Sequence, residues 1–314
     1  MRILFVLNRR PKHNTQLHGG FLQASRIVGI EPYFYGPSVE GTVGPARLFS
    51  KQRRFQSIVE DLKCELLVMY RAGHTGMDWV RTEDLQGLRV PSILIDVDFC
   101  YRRESRDWLH EAVDMHLLRH PADLEYSRSR NAGLLPFSID PRVYRKGKLK
   151  NRSGICFSGR TKTSGRPDGY VIRRRALRAL SPDVLESLVN PIEQVRYYHA
   201  HKAAMTCSAG PWRYINSKHF EIPATRTVLF TNGHNSIERY LPKGTYVTYR
   251  DDCKDIVDLW HEVDKNWSLW RRKADKASLY VHAHHTHLAR WTEFVQLVEK
   301  DFGIRSAGNG SSKT

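Results

Sequence analysis

The chain is poor in acid and has nothing long enough to cross a membrane. Its 33 Asp and Glu stand against 50 Lys and Arg, giving 314 residues a formal net charge of +17. That imbalance predicts attraction to polyanions: nucleic acid, an anionic membrane surface or a teichoic-type polymer. No apolar run approaches the roughly 20 residues of a membrane-spanning helix. The opening Met1-Arg2-Ile3-Leu4-Phe5-Val6-Leu7 is too short for a secretory signal. Asn8-Arg9-Arg10 follows it where small cleavage-site residues would stand, so a cytoplasmic location is expected. The five cysteines (Cys64, Cys100, Cys156, Cys207 and Cys253) are scattered, with no C-x-x-C pair. Free, mostly buried thiols are expected. No Walker A loop, HExxH or GxSxG occurs, so none of the chemistries those motifs mark is expected.

What the chain does have is a succession of short apolar runs. Residues 3–7, 65–70, 92–97, 154–158 and 227–231 are rich in Ile, Leu and Val and read as buried parallel strands. Helical patterns fall between and after them, over residues 21–28, 55–61, 105–112, 170–180 and 288–299. Alternation of this kind predicts βαβ units and parallel sheets covered on both faces. After Leu134-Leu135-Pro136-Phe137-Ser138-Ile139-Asp140-Pro141 comes a basic, apolar-poor stretch, residues 142–152, which marks a domain boundary. The expected division is a first domain over 1–145, a second over 151–304 and a disordered polar tail over 305–314. The last long helix is expected to cross back to the first domain. Trp260, Trp267, Trp270 and Trp291 read as the apolar faces of late helices.

One segment has the makings of a binding site. Lys218-His219-Phe220-Glu221-Ile222-Pro223-Ala224 precedes the run Thr227-Val228-Leu229-Phe230-Thr231 and a later acid, Glu238. Glu221 is expected to open a helix. A carboxylate there accepts hydrogen bonds from both hydroxyls of a ribose, and the free N–H groups of the helix start suit a diphosphate. The same Glu also serves simply to cap the first turn. Upstream, Gly159 makes a turn after the 154–158 strand and Arg160 follows, either aimed at a phosphate or lying on the surface.

The two βαβ halves, the Leu-Pro-Phe-Ser-Ile-Asp approach to the boundary, Phe157-Ser158-Gly159-Arg160, Lys218-His219-Phe220-Glu221, Tyr246-Val247-Thr248-Tyr249-Arg250-Asp251-Asp252 and Ala283-His284-His285-Thr286-His287-Leu288-Ala289-Arg290 together resemble GT-B glycosyltransferases. Within these the likeness is to the CgeB-like, spore-protein glycosyltransferase-like group. It covers most of residues 151–300 and is weaker before them. The resemblance implies an α/β protein of two Rossmann-like domains facing across a cleft, with a nucleotide sugar held mainly by the second. It also implies transfer with no metal cofactor required. The donor-binding residues it points to are Gly159, Arg160, Arg213, Lys218, Glu221 and Glu238. The chain departs from the family's retaining motif, in which a second Glu stands eight positions before the one matched by Glu221: that place holds Arg213. Arg226 stands where a small residue or Gly is usual. Stereochemical outcome stays open.

An inverting transferase needs a base for the acceptor proton. Asp96 and Asp98, at the end of the 92–97 strand, and His18 and His74, in Gly-flanked loops, are the candidates. Ile95-Asp96-Val97-Asp98 also fits the Asp-x-Asp metal site of GT-A transferases, though a second βαβ half argues against that architecture. His282, His284, His285 and His287 pair at helical spacing, but no acid or Cys accompanies them, and a structural role is expected. Basic clusters are widespread. Arg53 and Arg54, Arg102 and Arg103, and Lys148 and Lys150 are the expected nucleic-acid contacts, with Arg173-Arg174-Arg175 a further run. They favour a modified base in DNA as acceptor. A cell-surface or spore polysaccharide or protein is the alternative acceptor, and a non-catalytic nucleic-acid-binding protein the alternative function. A monomer or homodimer is expected.

Overall fold

The computed structural model describes residues 1–7, 20–36, 54–71, 77, 79–97, 99, 108–159, 161, 171–186, 190–207, 215–233 and 236–305. These divide into two compact units, Met1–Pro136 with His287–Thr314, and Phe137–Thr286. No helix among the described residues is long and apolar enough to cross a membrane.

The first unit carries a six-stranded parallel sheet of β1 (Arg2–Leu7), β2 (Glu31–Tyr35), β3 (Leu66–Arg71), β4 (Ser92–Asp96), β5 (Met115–Leu118) and β6 (Ala132–Leu134), in the order β2-β1-β3-β4-β5-β6. Its helices are α1 (Gly20–Ala24), α2 (Phe55–Leu62), α3 (Thr82–Leu85) and α4 (Leu109–Ala112). Every residue of β3 and β4 is buried, as a continuous apolar run covered on both faces requires. The expected 21–28 helix is α for only one turn and then tightens into a 3₁₀ segment, Ser25–Val28, ended by Gly29 at φ 76°.

The second unit repeats the plan. Strands β7 (Ser153–Ser158), β8 (Asp183–Leu185), β9 (His201–Met205), β10 (Val228–Asn232) and β11 (Val247–Tyr249) lie in the order β11-β10-β9-β7-β8, all parallel. Helices α5 (Val171–Leu180), α6 (Pro191–Ala200), α7 (Lys218–Ala224), α8 (Ile256–Lys265) and α9 (Trp267–His284) complete it. In each sheet the first strand has its second on one side and its third on the other. The chain reverses its winding there, and open α/β sheets bind ligands at the carboxyl ends of the strands flanking such a point. In the second unit those strands are β7 and β9.

The last helix, α10 (His287–Phe302), packs in the first unit. Trp291 is fully buried, stacks on Phe21 with ring centroids 4.7 Å apart, and donates its indole N–H to the Phe21 carbonyl at 2.6 Å. The four described cysteines are free and buried.

Candidate functional site

The carboxyl end of β7 is where the second unit gathers its polar side chains. Ser158 ends the strand, and Gly159 follows at φ 145°, a conformation that L side chains rarely adopt. The turn needs the glycine for its conformation, and a Cβ there would press on the Lys218 Nζ and the Phe157 ring, each 3.0 Å away. Lys218, on the first turn of α7, donates its ammonium to the Ser158 carbonyl. It also lies 5.4 Å over the Phe157 ring, with the Arg173 guanidinium at the same distance from that ring. Burial pushes Lys218 down to about 8, against the opposing pull of the Glu221 carboxylate.

Glu221 does not open α7, as the sequence reading had it. The helix begins at Lys218 because the Asn216 side chain accepts the Lys218 N–H at 3.0 Å, and the Ser217 carbonyl accepts the Glu221 N–H at 3.0 Å. Glu221 therefore closes the first turn rather than opening it, 2% exposed. Burial raises its carboxyl above the ordinary range, while Lys218, Ser217 and Tyr144 favour its charged form. Its Oε1 has no hydrogen-bond partner among the described residues. A buried carboxylate oxygen left open costs free energy until a donor reaches it.

Around this pair runs a network that the sequence reading did not single out. Ser158 Oγ meets the Tyr198 hydroxyl at 2.6 Å. Gln194 donates to Ser158 Oγ at 3.0 Å and to Tyr198 at 2.9 Å, and accepts from Tyr144 at 3.2 Å. On the other side, His219 accepts the Asn216 N–H at Nδ1, 3.1 Å, so its neutral ring donates from Nε2 to Thr231 Oγ1 at 2.9 Å. Full burial pushes His219 down to about 3 and keeps it neutral. No motif spacing reveals Tyr144, Gln194 or Tyr198: they come from a loop and from α6.

The remaining expected site residues are scattered. Glu238 is exposed on a 3₁₀ turn, Ser236–Arg239. Asp96 is fully buried at the end of β4 and ion-paired with Arg71, itself buried. Arg160, Arg213, Asp98, His18, His74, Arg53, Arg102 and Arg103 lie outside the described residues. Arg54, Lys148 and Lys150 are exposed. Arg226 adopts φ 62°, a conformation that favours glycine, and its guanidinium pairs with Asp275 at 2.6 Å.

The histidine cluster serves packing. His282 Nε2 and Ser278 Oγ bond the Ala224 carbonyl at 3.1 and 2.8 Å, closing the end of α7. His285 bonds the Tyr240 carbonyl at 2.8 Å, and His287 packs edge-on against Phe21. Among the described residues no group of three or more His, Cys, Asp or Glu is placed to hold a metal.

Residues 175–296, which include α7, match the model of a family described as glycosyl transferase-like. No curated protein matches the sequence. Solved structures match nearly the whole chain at low identity. Sucrose-phosphate synthase from Thermosynechococcus elongatus gives a TM-score of 0.68 at 9% identity, covering 96% of this chain and 100% of that one. Anabaena Alr3699/HepE in complex with UDP-glucose gives 0.66 at 10%, covering 96% and 100%. A DNA-modifying enzyme, beta-glucosyltransferase, gives 0.65 at 9%, covering 97% and 100%. The fold is that of GT-B glycosyltransferases, which removes the GT-A reading of Asp96-Val97-Asp98. The CgeB-like affiliation rests on the sequence resemblance alone.

Proposed function

We propose that the chain is a glycosyltransferase that takes a sugar from a nucleotide-diphosphate donor and places it on a hydroxyl of a modified base in DNA. The observation that carries the donor half is half-buried Lys218 beside buried Glu221 on α7, at the β7/β9 reversal, with Glu221 Oε1 open to a donor. A ribose supplies the missing hydroxyl donors. In transfer the acceptor oxygen bonds the anomeric carbon, the bond from that carbon to the phosphate oxygen breaks, and the diphosphate leaves with the electron pair. Negative charge grows on the leaving group, where a fixed cation such as Lys218 stabilises it. The acceptor proton passes to a base. In this reading Asp96, bound to Arg71, positions the end of β4, and Asp98, His74 and His18 are the base candidates. Neither donor nor base calls for a metal.

The charge carries the acceptor half. A net +17 suits a phosphate backbone, and the structural likeness to a DNA-modifying glucosyltransferase supports the same choice. The test is mass spectrometry of nucleosides from hydroxymethylated DNA incubated with the protein and a panel of nucleotide sugars. A hexose or pentose increment on one base is expected. Transfer to small glycosides or polysaccharide with none to DNA overturns the acceptor. Donor binding without transfer or hydrolysis of any donor favours a non-catalytic DNA-binding role.

A further inference from the structure

Lys146-Gly147-Lys148-Leu149 runs irregularly towards a turn at Lys150 and Asn151, just before β7. All three lysines are exposed, Gly147 is buried and Leu149 half-buried, so alternation along the segment sets the cations on the outer side. The three exposed cations fall within five residues and stand as a short row.

The backbone beneath the row is pinned by three side chains from elsewhere in the second unit. His199 Nε2 bonds the Arg145 carbonyl at 3.0 Å, Arg226 donates to the Gly147 carbonyl at 3.4 Å, and Arg152 donates to the Lys148 carbonyl at 2.9 Å. Arg152 is itself fixed, donating to the carbonyls of His201, Thr225 and Arg226 and to Thr227 Oγ1. Gly147 admits no side chain: a Cβ would stand 2.3 Å from the His199 ring and 2.7 Å from Arg152. Asp275, the carboxylate that joins this network, is paired with Arg226. Lys276 beside it and Arg196 on α6 are exposed. The row lies where β7 and β9 enter the sheet, at the opposite end from Ser158 and Lys218.

We infer that Lys146, Lys148 and Lys150 form a pre-organised comb that binds the phosphodiester backbone of DNA, at a surface separate from the donor-binding edge. The comb deepens the DNA-acceptor reading and rests on it for its choice of polyanion. Because the backbone is held before binding, less ordering entropy is lost when phosphates engage. Contacts of this kind position the duplex and carry no sequence preference.

The test is fluorescence anisotropy of the full chain with a short duplex over a series of salt concentrations. Replacing the lysines together (Lys146→Gln, Lys148→Gln, Lys150→Gln) is expected to weaken binding at least roughly tenfold. It should also reduce the slope of log K against log salt by about 2.7, for three phosphates at about 0.9 each. Gly147→Ala, which keeps every charge but displaces the row, is expected to weaken binding while thermal unfolding stays cooperative. Reversing Lys243 and Lys254, exposed elsewhere, should leave the slope near wild type. An unchanged slope in the triple variant overturns the comb, as does comb-dependent binding to phosphatidylserine vesicles with none to duplex. UDP-glucose calorimetry on the same proteins separates the two readings. Comb-dependent DNA binding in a chain that neither binds nor cleaves any nucleotide sugar retains the comb and sinks the transferase.

Discussion

Lys218 donates its ammonium to the carbonyl of Ser158, tying the first turn of α7 to the last residue of β7. The bond joins elements 60 residues apart and sets a cation beside the strand end at which the sheet reverses its winding. Burial of that cation makes the site sensitive to pH.

Burial lowers Lys218 from its ordinary 10.5 to about 8. Between those values the unfolded chain binds more protons than the folded one, so stability rises with pH across that window. A diphosphate needs the charged form, so donor affinity should fall as pH passes 8. Lys218→Met is expected to lose affinity at pH 7 and to abolish both pH dependences. Calorimetry with UDP-glucose and urea unfolding at pH 7–10 measure them.

Glu221 is shifted upward, with the opposite sign. The folded state holds its proton more tightly, so stability falls as pH rises from the ordinary carboxylate value of 4.5 towards the raised one. Glu221→Gln should remove that fall and leave the protein as stable as wild type or more so near neutrality. Donor affinity should drop by about tenfold or more, the scale of one charged hydrogen bond, with DNA affinity retained. A variant with normal donor affinity sinks the ribose assignment.

His219 is neutral and buried, with its folded value near 3 and its ordinary value at 6.5. Through that window the unfolded chain takes up the proton that the folded chain refuses, so stability is lost as pH falls. His219→Gln, which can still bond Thr231, should show a shallower acid denaturation curve from pH 6.5 to 3.

Gly159→Ala combines a left-handed backbone with a Cβ against Lys218 and Phe157. A loss of about 1–3 kcal/mol is expected in urea unfolding. A parallel loss of donor affinity should follow as the Lys218 ammonium is pushed off Ser158.

Trp291→Ala is expected to cost about 3–5 kcal/mol, the range for deleting a buried aromatic. It removes both the stack on Phe21 and the bond to its carbonyl. Near-ultraviolet circular dichroism and thermal melts would record the loss; an unchanged melt would mean that α10 contributes little to the first unit.

Legibility in the sequence followed unbroken apolar runs: β5 and β9 are buried inside their sheets, yet His116 and His201-Lys202 hid them. The runs that became β1, β3, β4, β7 and β10 were readable because strands covered on both faces need unbroken apolar sequence. Strand β2 escaped because Glu31-Pro32-Tyr33 reads as a break. Proline is tolerated there because β2 is an edge strand. Strand β8, the opposite edge of the second sheet, is three residues with two exposed, and carries no signal either. In the candidate site, Gly159, Lys218 and Glu221 were readable from their local motif. Tyr144, Gln194 and Tyr198 were not, since they meet Ser158 only through packing.

The sequence by itself determined the alternation of strand and helix, the large excess of positive charge and the segment that carries the Lys218–Glu221 pair. Those depend on residue order and composition alone. Tertiary structure decided what each charge does. Arg152 belongs to a basic cluster in sequence, yet it is buried as the clamp beneath the comb, while Lys148 and Lys150 beside it face outward. Asp96 ends a strand as a catalytic acid would, yet it is bound to Arg71. The role of an ionisable side chain is set by its burial and its partners, and those come from elements far away along the chain.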